Sequence, residues 1–405
     1  MEHMLEPHRE NISCAYCGDA PINHKLFYYA SLISIALDNH TIKVTKHAPK
    51  FLVNIVDAFL VFFFETSLFF GWAKLSDDID KAVTFRSRVI WEEGRRRGLE
   101  MKQVIFFGRA LDQYRTRING KIFYFDSLPI PSKLLNLNQN WDDKFILKKE
   151  FEKSNIPTPK CFQFGAFYPQ DLEQIFNKFE KPVIVKPRIG SRGRHTVTNI
   201  HDLEHFKKGV EVAKGLCAYL IVEEHLEGHI CRATFVNGEL VGFYRATPTH
   251  VIGDGKRTVR ELIMERDMNR PDRVEKILVN VELENYIARS GFGLEDILPN
   301  GLRLLLSHRA GRLFGGITRE MLSELHPSFV PILTKAAQLV GLPVIGFDCI
   351  VPDPTKDAHS QKWGIIECNT LPFIDLHYYA LQGKPMNIAG KIWDLWQLPT
   401  INVPQ

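Results

Sequence analysis

Asp348, Glu367 and Asn369 combine metal-ligand chemistry with strand spacing. Asp348 lies in the run GFDCI, and the other two lie in IIECNTLP. Glu367 and Asn369 are two apart, so on a β-strand they face the same side. An adjacent strand bearing Asp348 completes an all-oxygen set, which suits Mg2+. The alternative is plain: carboxylates at strand ends also cap turns, and spacing alone does not separate the two readings. Phosphate chemistry is the second signal. Lys186 ends the apolar run VIVKP and is followed by Gly190-Ser191-Arg192-Gly193-Arg194. Such a loop can turn backbone N–H groups toward phosphate oxygens. Lys144 opens an earlier helical stretch, where the helix dipole also favours an anion. Alone, a glycine loop with arginines is more often a solvated turn. Third, Ile221-Val222-Glu223-Glu224-His225-Leu226 reads as an apolar strand running out into polar residues. That strand exit suits a nucleotide base, or else it is a sheet edge with solvated glutamates.

The elements that must carry these residues follow from the pattern. Residues 143–155 read as a helix, closed by Pro157 and Pro159. Residues 181–187 form a strand, 202–214 a helix with period-3.6 apolar positions, and 218–228 a buried strand. ATFVNGELVGFYRAT is a hairpin turned at Asn237-Gly238. Residues 331–340 form a helix, and VIGFDCIVP and WGIIECNTLP are two late strands. Upstream, 81–100 is a charged amphipathic helix, 101–108 and 121–131 hold strands, and 1–80 is helical. This is an α+β pattern with both parallel and antiparallel pieces. The expected domains are a helical extension at 1–80, an α/β region at 81–140, and two subdomains at 141–225 and 226–405.

Bulk properties bound the function. A chain of 405 residues holds more than one core. Lys and Arg number 51 against 47 Asp and Glu, a net charge of +4. That near balance argues against a nucleic-acid partner. Seven scattered cysteines do not form a disulfide framework and fit a reducing compartment, the cytoplasm. The first ten residues carry acidic groups and no apolar core, so no secretory signal is expected. Residues 51–73, FLVNIVDAFLVFFFETSLFFGWA, approach the length of a membrane span. Asn54, Asp57 and Glu65 fall within roughly an 80° arc of a helix. That polar stripe favours a helix packed on protein, with a membrane role as the alternative. Cys14-Ala-Tyr-Cys17, with His8 before it and His24 after it, has the residue types of a zinc site, although one CxxC with long flanks is a weak signal.

The order of these pieces resembles the ATP-grasp superfamily of carboxylate–amine ligases, cyanophycin synthetase and the bifunctional glutathione synthetases in particular. RATPTHVIGDGKRTVRELI at 245–263 carries the most specific likeness. GGITREMLSELHP at 315–327 and QGKPMNIAGKIWDL at 382–395 add to it, and the resemblant stretch runs from about 142 to 398. It implies the ATP-grasp fold, two α+β subdomains clasping ATP, behind a helical N-terminal extension. It also implies amide formation through an acyl phosphate, with ATP and two Mg2+ ions. Lys144, Lys186 and the loop Gly190, Ser191, Arg192 and Gly193 would meet the phosphates. Glu223, Glu224 and Leu226 would border adenine. Arg232 and Arg245 would face the phosphates or the acyl phosphate, and Asp348, Glu367 and Asn369 would bind metal. Small-molecule carboxylate and amine substrates and a homo-oligomer are expected. Three positions depart from the pattern. Ile230 stands where an acidic residue usually meets the ribose. His195 stands where glycine is usual. TLPFIDLH follows Asn369, so that Phe373 and Asp375 replace a segment that ends in arginine. Asp375 would repel an acidic substrate and suit a cationic one. The chain ends at Gln405, which leaves no room for the muramyl-ligase half of cyanophycin synthetase, so two-step polymerisation is not expected. A phosphotransferase of the same fold and a non-catalytic nucleotide-binding partner are the rival readings.

Overall fold

The computed structural model describes residues 14–17, 22–45, 51–134, 141–165, 171–191, 193–312 and 315–397. It divides into two compact units. The first unit comprises Met1–Ser34, Lys160–His225 and Thr247–Ile317. Its main sheet has four strands in the order Cys161–Gly165, Tyr219–Glu224, Val183–Pro187, Val197–Ile200. The helix Leu203–Lys214, capped by the Asp202 carboxylate on the His205 amide, covers this sheet. Phe206, Val210 and Ala213 pack on Val183, Val185, Leu220 and Val222, all buried. A second small core joins the strand pair His250–Ile252 and Arg303–Leu305 to the helices Val259–Met268 and Val281–Ala288.

The second unit comprises Ile35–Pro159, Leu226–Ala246 and Thr318–Gln405. A five-stranded sheet runs Ile317–Glu320, Glu239–Thr247, His229–Val236, Val344–Val351, Gly364–Asn369. Asn237 and Gly238 both have positive φ, +51° and +80°, which the expected two-residue turn requires. One sheet face buries Cys231, Phe235, Phe347 and Cys349 against Phe151 of the helix Lys144–Lys153 and Phe329 and Leu333 of the helix Phe329–Val340. The same unit holds a four-stranded meander, Ala73–Ser76, Lys102–Phe106, Arg109–Ile118, Lys121–Asp126.

One expectation, the helical reading of residues 73–76, needs correction. Among the described residues the ladders with a given register are antiparallel, and the isolated Arg319–Gln382 bridge is parallel. Antiparallel neighbours need only short turns, whereas parallel ones need long crossovers. Residues 73–76 are a strand rather than helix. The helix Phe51–Phe69 stops at Gly71, φ +75°, where the Trp72 amide bonds the Ser67 carbonyl and the Gly71 amide bonds that of Leu68. This double bond is the Schellman ending, and it releases the chain as a strand edge.

No helix among the described residues is long and apolar enough to cross a membrane. Glu65, from the apolar run, accepts from Arg115 Nε and from the Tyr124 hydroxyl, each at 2.8 Å. Phe64 stacks on Tyr124 beside it. Phe59, Phe62 and Phe69 of the same helix are exposed. Burial works to raise the Glu65 pKa, but Arg115 and Tyr124 outweigh it and the pKa falls below 4.5. Stability from this carboxylate is therefore complete above pH 4.5 and is lost as pH falls through the lowered folded value. The side chain is 36% exposed, so solvent screening limits the effect. Glu65→Gln is expected to cost about 0.5–1 kcal/mol at pH 7. That cost should vanish in acid. Urea unfolding of both proteins at neutral and low pH checks this, and a cost that persists in acid would refute the pairing.

Candidate functional site

In the second unit, register sets a row of chemistry across four strands. Tyr244 lies opposite Arg232, Arg232 opposite Asp348, and Asp348 opposite Glu367. Directly opposed residues share a face of the sheet. Arg232 forks onto Asp348, Nε to Oδ1 at 2.6 Å and Nη2 to Oδ2 at 2.8 Å. Asn369 donates to Asp348 Oδ2 at 3.2 Å. Lys144 Nζ lies 3.6 Å from Glu367 Oε1. Its helix is started by Asp143, whose carboxylate accepts the Phe145 and Ile146 amides. One turn on, buried Lys148 donates to the Ile366 carbonyl at 2.7 Å. Asp348, Glu367 and Asn369 are thus neighbours, an oxygen set on one strand pair. Burial alone would lower the Arg232 pKa, but Asp348 and Tyr244 overcome it and hold the group firmly charged. Arg232 Nη1 is buried and has no hydrogen-bond partner among the described residues. A buried donor left over beside a carboxylate pair suits an anion that arrives with a metal.

Arg245 does not join this row. It pairs with Cys231, which pairs with Cys349, so by register it belongs to the opposite face. Arg232 and Arg245, both expected to face the phosphates or the acyl phosphate, thus fall on opposite faces of the sheet by register.

The next row on the chemical face is Gly242, Thr234, Gly346 and Asn369. The fully buried His377 stands over Gly242, where an added Cβ would lie 2.6 Å from its Nδ1. His377 Nδ1 meets Glu320 Oε2 at 2.6 Å, and Nε2 meets Thr234 Oγ1 at 2.8 Å. Glu320 also accepts from the Phe243 and Leu322 amides. Residues 370–378 are thereby locked onto the sheet. Thr370 Oγ1 donates to Asp142, and Arg86 donates to the Leu371 carbonyl and lies over the Phe373 ring. Asp375 is buried at the start of the short helix Asp375–Tyr378. Sequence reading missed His377, Glu320 and Arg86. The departure at TLPFIDLH was the only available signal.

In the first unit, Lys186 and Glu223 form a buried pair at 2.9 Å. Glu223 lies opposite Ile184, so Lys186, two residues on, shares its face. Glu224 accepts from the Lys160 amide while its own amide donates to the Lys160 carbonyl, tying two strands together. Leu226 falls in the second unit, where it is buried. In the glycine loop Gly190 and Gly193 have φ of +150° and +63°, and Ser191 Oγ accepts from Arg194 at 3.2 Å. Arg192 lies outside the described residues, as does His8. A cleft in this unit is lined by Tyr16, Thr196, Lys276, Tyr286 and the Glu282–Arg309 ion pair.

No family model matches the chain. Cyanophycin synthetase of Nostoc sp. is 30% identical over 260 residues, which are 62% of this chain and 29% of that protein. The bifunctional glutathione biosynthesis protein of Clostridium perfringens is 25% identical over 264 residues, 63% of this chain and 34% of that one. The chain is a homologue of these proteins. Its own fold is α+β. Among solved structures, a bifunctional glutathione synthetase from Pasteurella multocida has a TM-score of 0.49 and 19% identity, covering 77% of this chain and 43% of that chain. The chain spans about a third of the length of the curated relatives it matches.

The His377 network should be structural. His377→Ala leaves Glu320 buried and half satisfied, a loss of about 3 kcal/mol or more. His377→Gln, which keeps one donor, should lose less. Chemical denaturation measures both, and two variants as stable as wild type would refute the lock.

Proposed function

We propose that this chain is an ATP-dependent carboxylate–amine ligase that forms an amide through an acyl phosphate. The row Arg232–Asp348–Glu367 with Asn369 carries the reading, because it joins an oxygen donor set to a buried, unspent arginine donor. The matched relatives, a cyanophycin synthetase and a glutathione biosynthesis protein, are consistent with it. Bound Mg2+, proposed as two ions, would neutralise phosphate charge during transfer to the carboxylate. Asp348, Glu367 and Asn369 would hold it. Lys144, Lys186 and the Gly190, Ser191, Arg192, Gly193 loop would take the phosphates, and Glu223, Glu224 and Leu226 would border the base. Arg232 would steady the negative charge of the acyl phosphate. Arg245, although on the other sheet face by register, stays in the proposal as a second cation for the phosphates or the acyl phosphate.

The proposed substrates are an amino acid or peptide carboxylate and an amine, and Asp375 favours an acceptor with a positive group. Functional segments 1–80, 81–140, 141–225 and 226–405 are proposed as extension, pre-grasp region and two grasp subdomains. The free cysteines fit a cytoplasmic chain. The exposed Phe59, Phe62 and Phe69 face fits self-association, hence a homo-oligomer.

An ATP-turnover screen across acidic, neutral and cationic amines, with mass detection of condensed products, tests the assignment. A phosphorylated acceptor without condensation would make it a phosphotransferase. ATP binding with no turnover would make it a non-catalytic partner. Lys186→Met should cut turnover at least tenfold, since a charge-assisted phosphate contact is worth about 1.5–3 kcal/mol. It also strips Glu223 of its partner, so Lys186→Met/Glu223→Gln is the control: restored stability without restored turnover supports the role, and restored turnover refutes it. Glu367→Gln should raise the Mg2+ concentration needed for half-maximal turnover severalfold. An unchanged Mg2+ dependence would remove Glu367 from the metal set.

A further inference from the structure

Cys14, Cys17, His24 and His195 meet within the first unit. Each offers one ligand atom, and the four atoms lie within 4.8 Å of one another. Cys17 Sγ is 3.0 Å from His24 Nε2 and 3.7 Å from His195 Nε2, and Cys14 Sγ is 3.4 Å from His195 Nε2. A tetrahedral Zn2+ with bonds of about 2.3 Å to sulfur and about 2.0 Å to nitrogen requires S···N edges of roughly 3.5 Å. We propose that these four side chains bind a structural Zn2+, separate from the oxygen ligands of the ligase reading and independent of it.

Three further observations support the set. The Cys17 amide bonds the Cys14 carbonyl at 3.0 Å, a tight turn that brings both sulfurs to one side. His195 Nδ1 lies 2.6 Å from the Val212 carbonyl. A carbonyl only accepts, so Nδ1 carries the proton and the Nε2 lone pair faces the thiols, the tautomer a metal needs. His195 is buried at φ +52°, in the left-handed region that few non-glycine residues occupy. A bond to metal gives a reason for histidine to stand there. A Cys14–Cys17 disulfide would employ two of the four side chains and leave both histidines unexplained. Both cysteines are free thiols. Soft and borderline ligands filling all four positions select zinc and leave no open position, so the site is structural rather than catalytic.

Zinc here would tie two neighbouring segments, the 14–17 turn and the start of the helix His24–Thr45, to the end of the glycine loop, with His195 lying 178 residues beyond Cys17. Two protein contacts already run the same way. The His195 amide donates to the Tyr16 carbonyl at 3.0 Å, and Arg309 Nη2 donates to that carbonyl at 3.0 Å. The metal would therefore set where the chain leaves Gly193.

The test uses the full chain without a polyhistidine tag, purified from zinc-supplemented cells. Elemental mass spectrometry should find one zinc per chain, and a mercurial thiol titration should release it stoichiometrically. Cobalt-exchanged protein should show the intense visible bands of a tetrahedral site and near-ultraviolet thiolate-to-cobalt bands. Cys17→Ser and His195→Ala should each lower zinc content at least tenfold after dialysis against a weak chelator, whereas Cys161→Ser should retain it. If the site variants fail to fold, zinc release and the cobalt spectrum of wild type still decide. Wild type that keeps no zinc after loading and dialysis, a Cys14–Cys17 disulfide found by peptide mass, or an octahedral cobalt spectrum would each overturn the proposal. None of these readouts depends on ATP turnover, so failure of the ligase reading would leave this result standing.

Discussion

The fork between Arg232 and Asp348 is the contact around which the second unit is arranged. Both groups are largely removed from water, and a buried ion pair tolerates that only with tight geometry and satisfied neighbours. The sheet supplies the geometry, because the two residues lie opposite each other in adjacent strands and a slip of one residue would send them to different faces. Tyr244 and Glu367 then occupy the flanking places by the same register, and Lys144 answers Glu367 from a helix end. Two cations face two carboxylates, so the row is neutral as it stands. A polyanion alone would upset that balance. A polyphosphate accompanied by dications would keep it, with the spare Arg232 donor as a ready contact.

The sheet also separates tasks. Its other face is wholly apolar where Cys231, Phe235, Phe347 and Cys349 pack, and burial drives the Cys349 thiol pKa well upward. Those sulfurs act as small hydrophobes, not nucleophiles. Alternation along a strand makes this division automatic. By that alternation Arg245 falls on the other parity from Arg232.

Much of this was legible in the sequence because it is local. The Asn237-Gly238 turn, the strands ending at Lys186 and containing Asp348 and Glu367, and the helix opening at Lys144 follow from side-chain type and period. The closeness of Asp348, Glu367 and Asn369 was legible because their spacing survives translation into register. What stayed hidden depends on contacts between distant parts of the chain. His377 meets Glu320 and Thr234, Arg86 reaches Leu371, and His195 meets Cys14, each pair far apart in sequence. Periodicity gives the face of an element and says nothing of what lies across from it. The CxxC was visible as two candidate ligands, with His8 and His24 as the flanking candidates. His195, the fourth member of the proposed set, lies in a segment whose glycines suggested phosphate instead.

The helix Phe51–Phe69 shows the same limit in another form. Hydropathy treats Glu65 as a flaw in an apolar run, and the polar stripe it belongs to would normally face water. Here Glu65 is spent inward on Arg115 and Tyr124, while Phe59, Phe62 and Phe69 remain exposed. An average over the segment does not distinguish this arrangement from a span, because both place one carboxylate among phenylalanines. The difference lies in Arg115 and Tyr124, fifty and fifty-nine residues away, whose strands present a cation and a hydroxyl at the height of Glu65. Once that partner exists, a carboxylate in an apolar helix is a docking contact. The helix sits against the meander by this polar anchor and by Phe64 on Tyr124, and its remaining apolar surface is left for other contacts.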